Sequence, residues 1–74
     1  MINELDRVVL TEDLPEERLK AGDIGTVVLV HDGGTGYEVE FMTLEGDTIA
    51  VVTVEAKQVR PAGGNEIAHA RQVA

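Results

Sequence analysis

Ile24-Gly25-Thr26-Val27-Val28-Leu29-Val30-His31-Asp32-Gly33-Gly34-Thr35-Gly36-Tyr37-Glu38-Val39-Glu40-Phe41 decides the fold. Six of the first eight residues are β-branched or aliphatic. Such side chains suit a pleated, half-buried surface, so the run reads as a strand. Asp32-Gly33-Gly34-Thr35-Gly36 follows. An Asp-Gly pair between apolar runs signals a hairpin, because glycine takes positive φ without steric cost. Beyond it, Tyr37, Val39 and Phe41 alternate with Glu38 and Glu40. That two-residue period sends the aromatics and the valine to one face and the glutamates to the other, as in a half-buried antiparallel strand.

Outward from this hairpin the same punctuation continues. Glu45-Gly46-Asp47 reads as a second turn, and Thr48 to Val54 as a further strand rich in β-branched residues. Upstream, Arg7-Val8-Val9-Leu10 reads as a first strand. Downstream, Gln58-Val59-Arg60 reads as a short last strand stopped by Pro61, which cannot donate to a ladder. Between the first two strands lies the irregular stretch Thr11 to Ala21. Pro15 bars regular pairing there, and Pro15 to Leu19 suits one helical turn, since proline fits a first helical position. Five short strands with one long loop and two tight hairpins predict an all-β fold closed into a small barrel, the economical way for few strands to hide their edges. The predicted core is Val8, Leu10, Leu19, Ile24, Val28, Val30, Val39, Phe41, Ile49, Val51 and Val59. A domain this small buries only about 60% of its unfolded surface, so marginal stability is expected.

Residues 1–61 are assigned to the barrel and residues 62–74 to a short tail. Gly63-Gly64 forms a flexible joint. Asn65 suits a helix N-cap, with Ile67, Ala70 and Val73 along one side. So short a helix is not stable in water without tertiary contacts. The tail is therefore read as frayed chain, with a docked or partner-bound helix as the alternative.

Charge narrows the function. The 74 residues carry 14 acids against 6 Lys and Arg, a net charge of -8, and 13 of the acids precede Ala62. The densest patch, Glu12, Asp13, Glu16 and Glu17, falls in the first long loop. A plain solvated loop is one reading; steering of a basic protein partner is the other. Phosphate backbones need Lys and Arg neutralisation and aromatic platforms, so direct nucleic-acid binding is disfavoured. The chain has no Cys, which removes disulfides and thiolate metal sites. No apolar run approaches the roughly 20 residues of a membrane span. The first residues lack the basic region of a secretory signal, so the cytoplasm is the expected location.

No motif predicts catalysis. Gly33-Gly34-Thr35-Gly36 lacks the Gly-Lys-Ser/Thr ending and following helix of a phosphate loop, and reads as a turn. Glu38 and Glu40 share a strand face about 7 Å apart, from the strand rise. A paired-carboxylate enzyme would also need a cleft, so a solvated outer face is expected instead. Glu45 and Asp47 match no dedicated cation loop. His31 and His69, without Cys, make a poor zinc set, and His31 is expected exposed at a strand edge. No Ser or Cys nucleophile exists, and Thr alone would need an activated base. No enzyme activity, cofactor or metal is expected.

Leu5-Asp6-Arg7-Val8-Val9-Leu10, Asp13-Leu14-Pro15, Leu19-Lys20-Ala21-Gly22-Asp23-Ile24-Gly25-Thr26-Val27-Val28, Tyr37-Glu38-Val39-Glu40-Phe41 and Val59-Arg60-Pro61 together resemble the bacterial domain-of-unknown-function 4926 family. The Gly-Asp-x-Gly-Thr-Val spacing within them is shared by many small barrels. The resemblance implies a five-stranded SH3-like barrel over most of residues 1–61 and assigns no catalytic residue. A looser similarity links the chain to nucleic-acid-associated KOW modules, from which its acidity departs. An SH3 groove for proline-rich peptides needs several aromatics, whereas Tyr37 and Phe41 both face one way. The expectation is a non-catalytic, acidic protein-interaction module, antitoxin- or immunity-like, with the four acids of the first loop as the candidate site. The alternatives are a KOW-like barrel acting through a ribonucleoprotein partner and a self-assembling homodimer.

Overall fold

The computed structural model describes residues 1–73. Five strands form: β1 (Arg7–Leu10), β2 (Ile24–His31), β3 (Gly36–Met42), β4 (Thr48–Glu55) and β5 (Val59–Pro61). All pairings are antiparallel, in the order β4-β3-β2-β1-β5. The chain is an all-β, small barrel-like fold. Its two hairpins turn where glycine permits it: Asp32, Gly33 and Gly34 all have positive φ, and Gly46 has φ 94°. A single turn of 3-10 helix, Pro15–Glu17, interrupts the first loop.

The core is built from Val8, Leu10, Leu19, Val27, Tyr37, Val39, Phe41, Val54 and Val59. The alternation predicted for β3 is seen: Tyr37, Val39 and Phe41 are buried, and Glu38 and Glu40 lie on the other face. The predicted phase of β2 and β4 is corrected. Ile24, Val28, Ile49 and Val51 are exposed, not core. In β2, Val9 pairs with Ile24 and Val8 with Gly25, which turns Gly25 inward and Ile24 outward. A bulge between Val27 and Leu29 then leaves Val28 without a partner and returns Val30 to the inner side, opposite Tyr37. In β4, Ala50, Val52 and Val54 face Phe41, Val39 and Tyr37. A one-residue difference in register moves every side chain to the other face, so Ile49 and Val51 point outward.

Gly25 is required by close packing. A Cβ there would collide with Val39 Cγ1 and come within 2.9 Å of Phe41 Cε1. The last strand is shifted by one residue: Gln58, read as its start, closes a 3-10 turn over Ala56–Gln58, and Pro61 is the final residue of β5, opposite Val8. The flanking bond from Ala62 N–H to Arg7 O, 3.1 Å, shows why it fits. Antiparallel bonds alternate, and Pro61 occupies a position whose missing amide faces away from β1.

The tail forms no helix in residues 62–73, so the helical alternative is not taken. Gly64 and Asn65 make a turn, and the chain then runs back toward the first loop.

Candidate functional site

The first loop presents its acids on a rigid frame. Leu14 and Leu19 exchange backbone hydrogen bonds of 2.9 and 3.1 Å, closing a small loop around Pro15–Arg18. Leu19 is buried and pins that loop to the core. Arg18 adopts the left-handed conformation, φ 59°, and donates its N–H to Pro15 O. Within this frame the four predicted residues separate. Glu12 Oε2 accepts from Gln58 Nε2 at 3.2 Å. Asp13 Oδ1 accepts from the Ala21 N–H at 2.8 Å. Glu16 and Glu17 stand exposed on the 3-10 turn itself. Asp13 and Glu17 border one groove together with the tail residues Arg71 and Gln72. Glu12 instead faces the end of the chain's last turn before β5.

Asp23 organises a second polar centre that no sequence motif marks. It sits at the entry to β2, where Gly22 at φ 96° swings the chain into the sheet. Its Oδ2 accepts the Lys20 N–H at 2.8 Å, which orients the carboxylate. Its outward side then receives the tail. Arg71 Nε donates to Asp23 Oδ1 at 2.8 Å, and Arg71 Nη2 donates to Oδ2. The same Nη2 also reaches the Arg18 carbonyl at 3.2 Å. The guanidinium thus has two carboxylate oxygens and a main-chain carbonyl, the forked arrangement that arginine suits. This contact holds the Asp23 carboxyl below its usual range, against the opposing effect of partial burial. No local pattern announces the pair, because its members lie 48 residues apart.

A second fork turns the tail back. Arg60 Nη1 and Nη2 donate to Glu66 Oε2 and Oε1 at 2.8 and 2.9 Å, and the Gly63 N–H adds 2.8 Å to Oε2. Held chiefly by Arg60 and then by the Gly63 amide, the Glu66 carboxyl falls to about 2. Between barrel and returning tail runs a groove lined on the barrel side by Leu19, Asp23, Ile24, Phe41 and Ile49, and on the tail side by Ala68–Val73. The outward phase of Ile24 and Ile49 supplies its apolar walls.

The outer face of β2-β3-β4 carries a different polar group. Glu38 Oε2 meets His31 Nε2 at 2.7 Å and accepts the Thr53 hydroxyl. Glu40 Oε2 accepts the Thr48 hydroxyl at 2.6 Å. His31 is therefore half-buried and engaged, not a free strand-edge residue. The Thr53 hydroxyl and His31 lower the Glu38 pKa. The order hydroxyl, carboxylate, imidazole differs from the hydroxyl, imidazole, carboxylate order that activates a nucleophile. Among the described residues no three His, Cys, Asp or Glu converge as metal ligands, and no helix is long and apolar enough to cross a membrane.

Fold and site define a small all-β domain whose polar groups are organised at its surface, around a rigid acidic loop and an Asp-centred groove. The family model for a domain of unknown function, DUF4926, matches residues 4–61, and the chain belongs to that family. No curated protein and no solved structure matches the chain significantly. Asp23 lies within the matched span, whereas Arg71 lies beyond it.

Proposed function

We propose that this chain is a non-catalytic protein-interaction module, an SH3-like barrel that docks a basic protein, as an antitoxin- or immunity-like accessory protein would. Support for the barrel type comes from the meander in which β5 returns to pair with β1. The observation that carries the function is the exposure of Glu16 and Glu17 on a turn clamped by Leu14 and Leu19. A turn whose backbone is already closed loses little backbone freedom on binding, and a net charge of -8 steers a cationic partner toward its acids. A Cys-free domain of this kind suits a bacterial cytoplasm, where disulfides do not persist. Calorimetric titration of a basic protein encoded beside its gene tests the reading. The double change Glu16→Lys and Glu17→Lys should weaken binding and flatten its salt dependence. Unchanged affinity in that variant would remove the acidic loop from the interface.

A second reading is favoured by β4, an edge strand of the sheet whose Val51 is 54% exposed. Such an edge supports strand addition between two copies. Sedimentation across a concentration series separates a homodimer from a monomer that waits for a different partner.

A further inference from the structure

Asp23, the Arg18 carbonyl and the adjoining apolar groove together hold the guanidinium of Arg71 and the extended chain that carries it. The carboxylate is pre-oriented by the Lys20 amide, and the carbonyl is presented by the left-handed Arg18. With Arg71 seated on it, the side chain of Asp23 is 16% exposed. Beside it, Leu19, Ile24, Phe41 and Ile49 offer an apolar wall to whatever follows or precedes the arginine. The occupant here is Arg71, on non-helical chain. Receptor and occupant differ in standing: Asp23 and the wall residues fall within the family match, and the tail falls outside it.

We infer that this groove is a docking site for an extended, arginine-bearing segment of a partner protein, and that the chain's own tail occupies it in cis as a stand-in. The inference rests on the protein-interaction reading but places the contact at Asp23 and not at Glu16 and Glu17. Charge complementarity sets the ligand chemistry: one arginine for the Asp23 fork, flanked by small and apolar residues such as the Ala70 and Val73 that line the groove here. Lysine cannot fill the fork, because a point charge lacks the paired planar donors. The tail's Gly63-to-Glu66 turn, closed by Arg60, directs Arg71 back onto its own barrel. A tethered competitor of this kind acts at an effective concentration of about millimolar. A partner must displace it, and its apparent affinity falls by the fraction of time the groove is free.

The test uses the full chain and a fluorescein-labelled synthetic peptide with the sequence of residues 65–74, followed by fluorescence anisotropy. The variant Arg71→Ala should bind the peptide more tightly, by up to about fivefold, than the unmodified protein, whose Asp23 fork is occupied in cis. Adding Asp23→Asn, which keeps an acceptor for the Lys20 amide, should abolish that gain. A peptide with its arginine replaced by alanine should not bind. An unrelated peptide with one arginine between apolar residues should compete, and its lysine counterpart should not. Equal affinity of Arg71→Ala and unmodified protein overturns the inference, as does binding that survives Asp23→Asn. Binding restricted to the tail's own sequence also overturns it, assigning the groove to a second copy of the chain or to a purely structural strap. Backbone amide spectra of each variant verify the fold, and Arg71→Lys, which preserves charge but not the fork, provides a second route to the same answer. Loss of partner binding in the Glu16 and Glu17 reversal with peptide binding intact separates the two sites.

Discussion

The barrel and its tail are held by opposite means. Around Gly25, Val39 and Phe41, the barrel relies on apolar surfaces in direct contact, with no room for an added methyl group. From Gly63 to Val73, the tail relies on two arginine–carboxylate forks, and its large side chain Ile67 is 89% exposed. Packing of the first kind is strong, cooperative and insensitive to salt. Ion pairs at a surface contribute little free energy, are screened by salt, and can be exchanged for an equivalent partner. The contrast assigns stability to one region and exchangeable contact to the other.

The sharpest way to break this contrast is Phe41→Ala. Phe41 is 3% exposed and central to the core, and its truncation should cost about 3–5 kcal/mol. That approaches the whole stability of so small a domain. A urea melt showing a loss below about 1 kcal/mol would remove Phe41 from the core's centre. Gly25→Ala comes next, at about 1–3 kcal/mol, because its Cβ must displace Val39 and Phe41. Thermal unfolding should register it as a clear drop in Tm.

The phase of β4 offers a paired measurement. Val54 is 2% exposed and Val51 is 54% exposed. Val54→Thr buries a hydroxyl and should cost about 1–3 kcal/mol, whereas Val51→Thr should stay within about 0.5 kcal/mol. Equal costs would contradict the register Tyr37 to Val54 and Glu40 to Val51.

The smallest effect is expected at the tail. Arg71→Ala should change stability by about 1 kcal/mol or less, while shifting the amide resonances of Asp23, Ile24 and Ile49. Acid should do the same. The Arg71 contact lowers the Asp23 pKa in the folded protein. Its contribution is therefore complete above the ordinary carboxylate range and is lost as pH falls through the lowered folded-state value. Glu66, whose pKa falls to about 2, holds the Arg60 turn until the pH approaches that value. An NMR titration should show the Asp23 contact opening while the barrel resonances persist. Simultaneous loss of both would merge the two regions into one cooperative unit.

Legibility followed the same division. β1 and β2 were readable to the residue, and β3 within one residue at each end, because Gly, Pro and Asp-Gly punctuation is local and the β3 alternation is strict. The inward faces of β2 and β4 were not. Val27-Val28-Leu29-Val30 is apolar at every position, so no period marks which side faces in. The bulge at Val28 arises only when β2 must match β3. Of the candidate site, the exposed acids of the first loop were visible as a charge run. Asp23 was visible only within the common Gly-Asp-x-Gly-Thr-Val spacing, and Arg71 carried no local signal.

The amino-acid sequence by itself determined the five strands to within about one residue, the all-β class, the acidity and the family, since each depends on residue type and near-neighbour spacing. Only the tertiary structure decided which valines are core, that Ile24 and Ile49 face outward along the groove, and that Arg71 meets Asp23. These depend on strand register and on contacts between residues far apart in the chain, which no local pattern encodes.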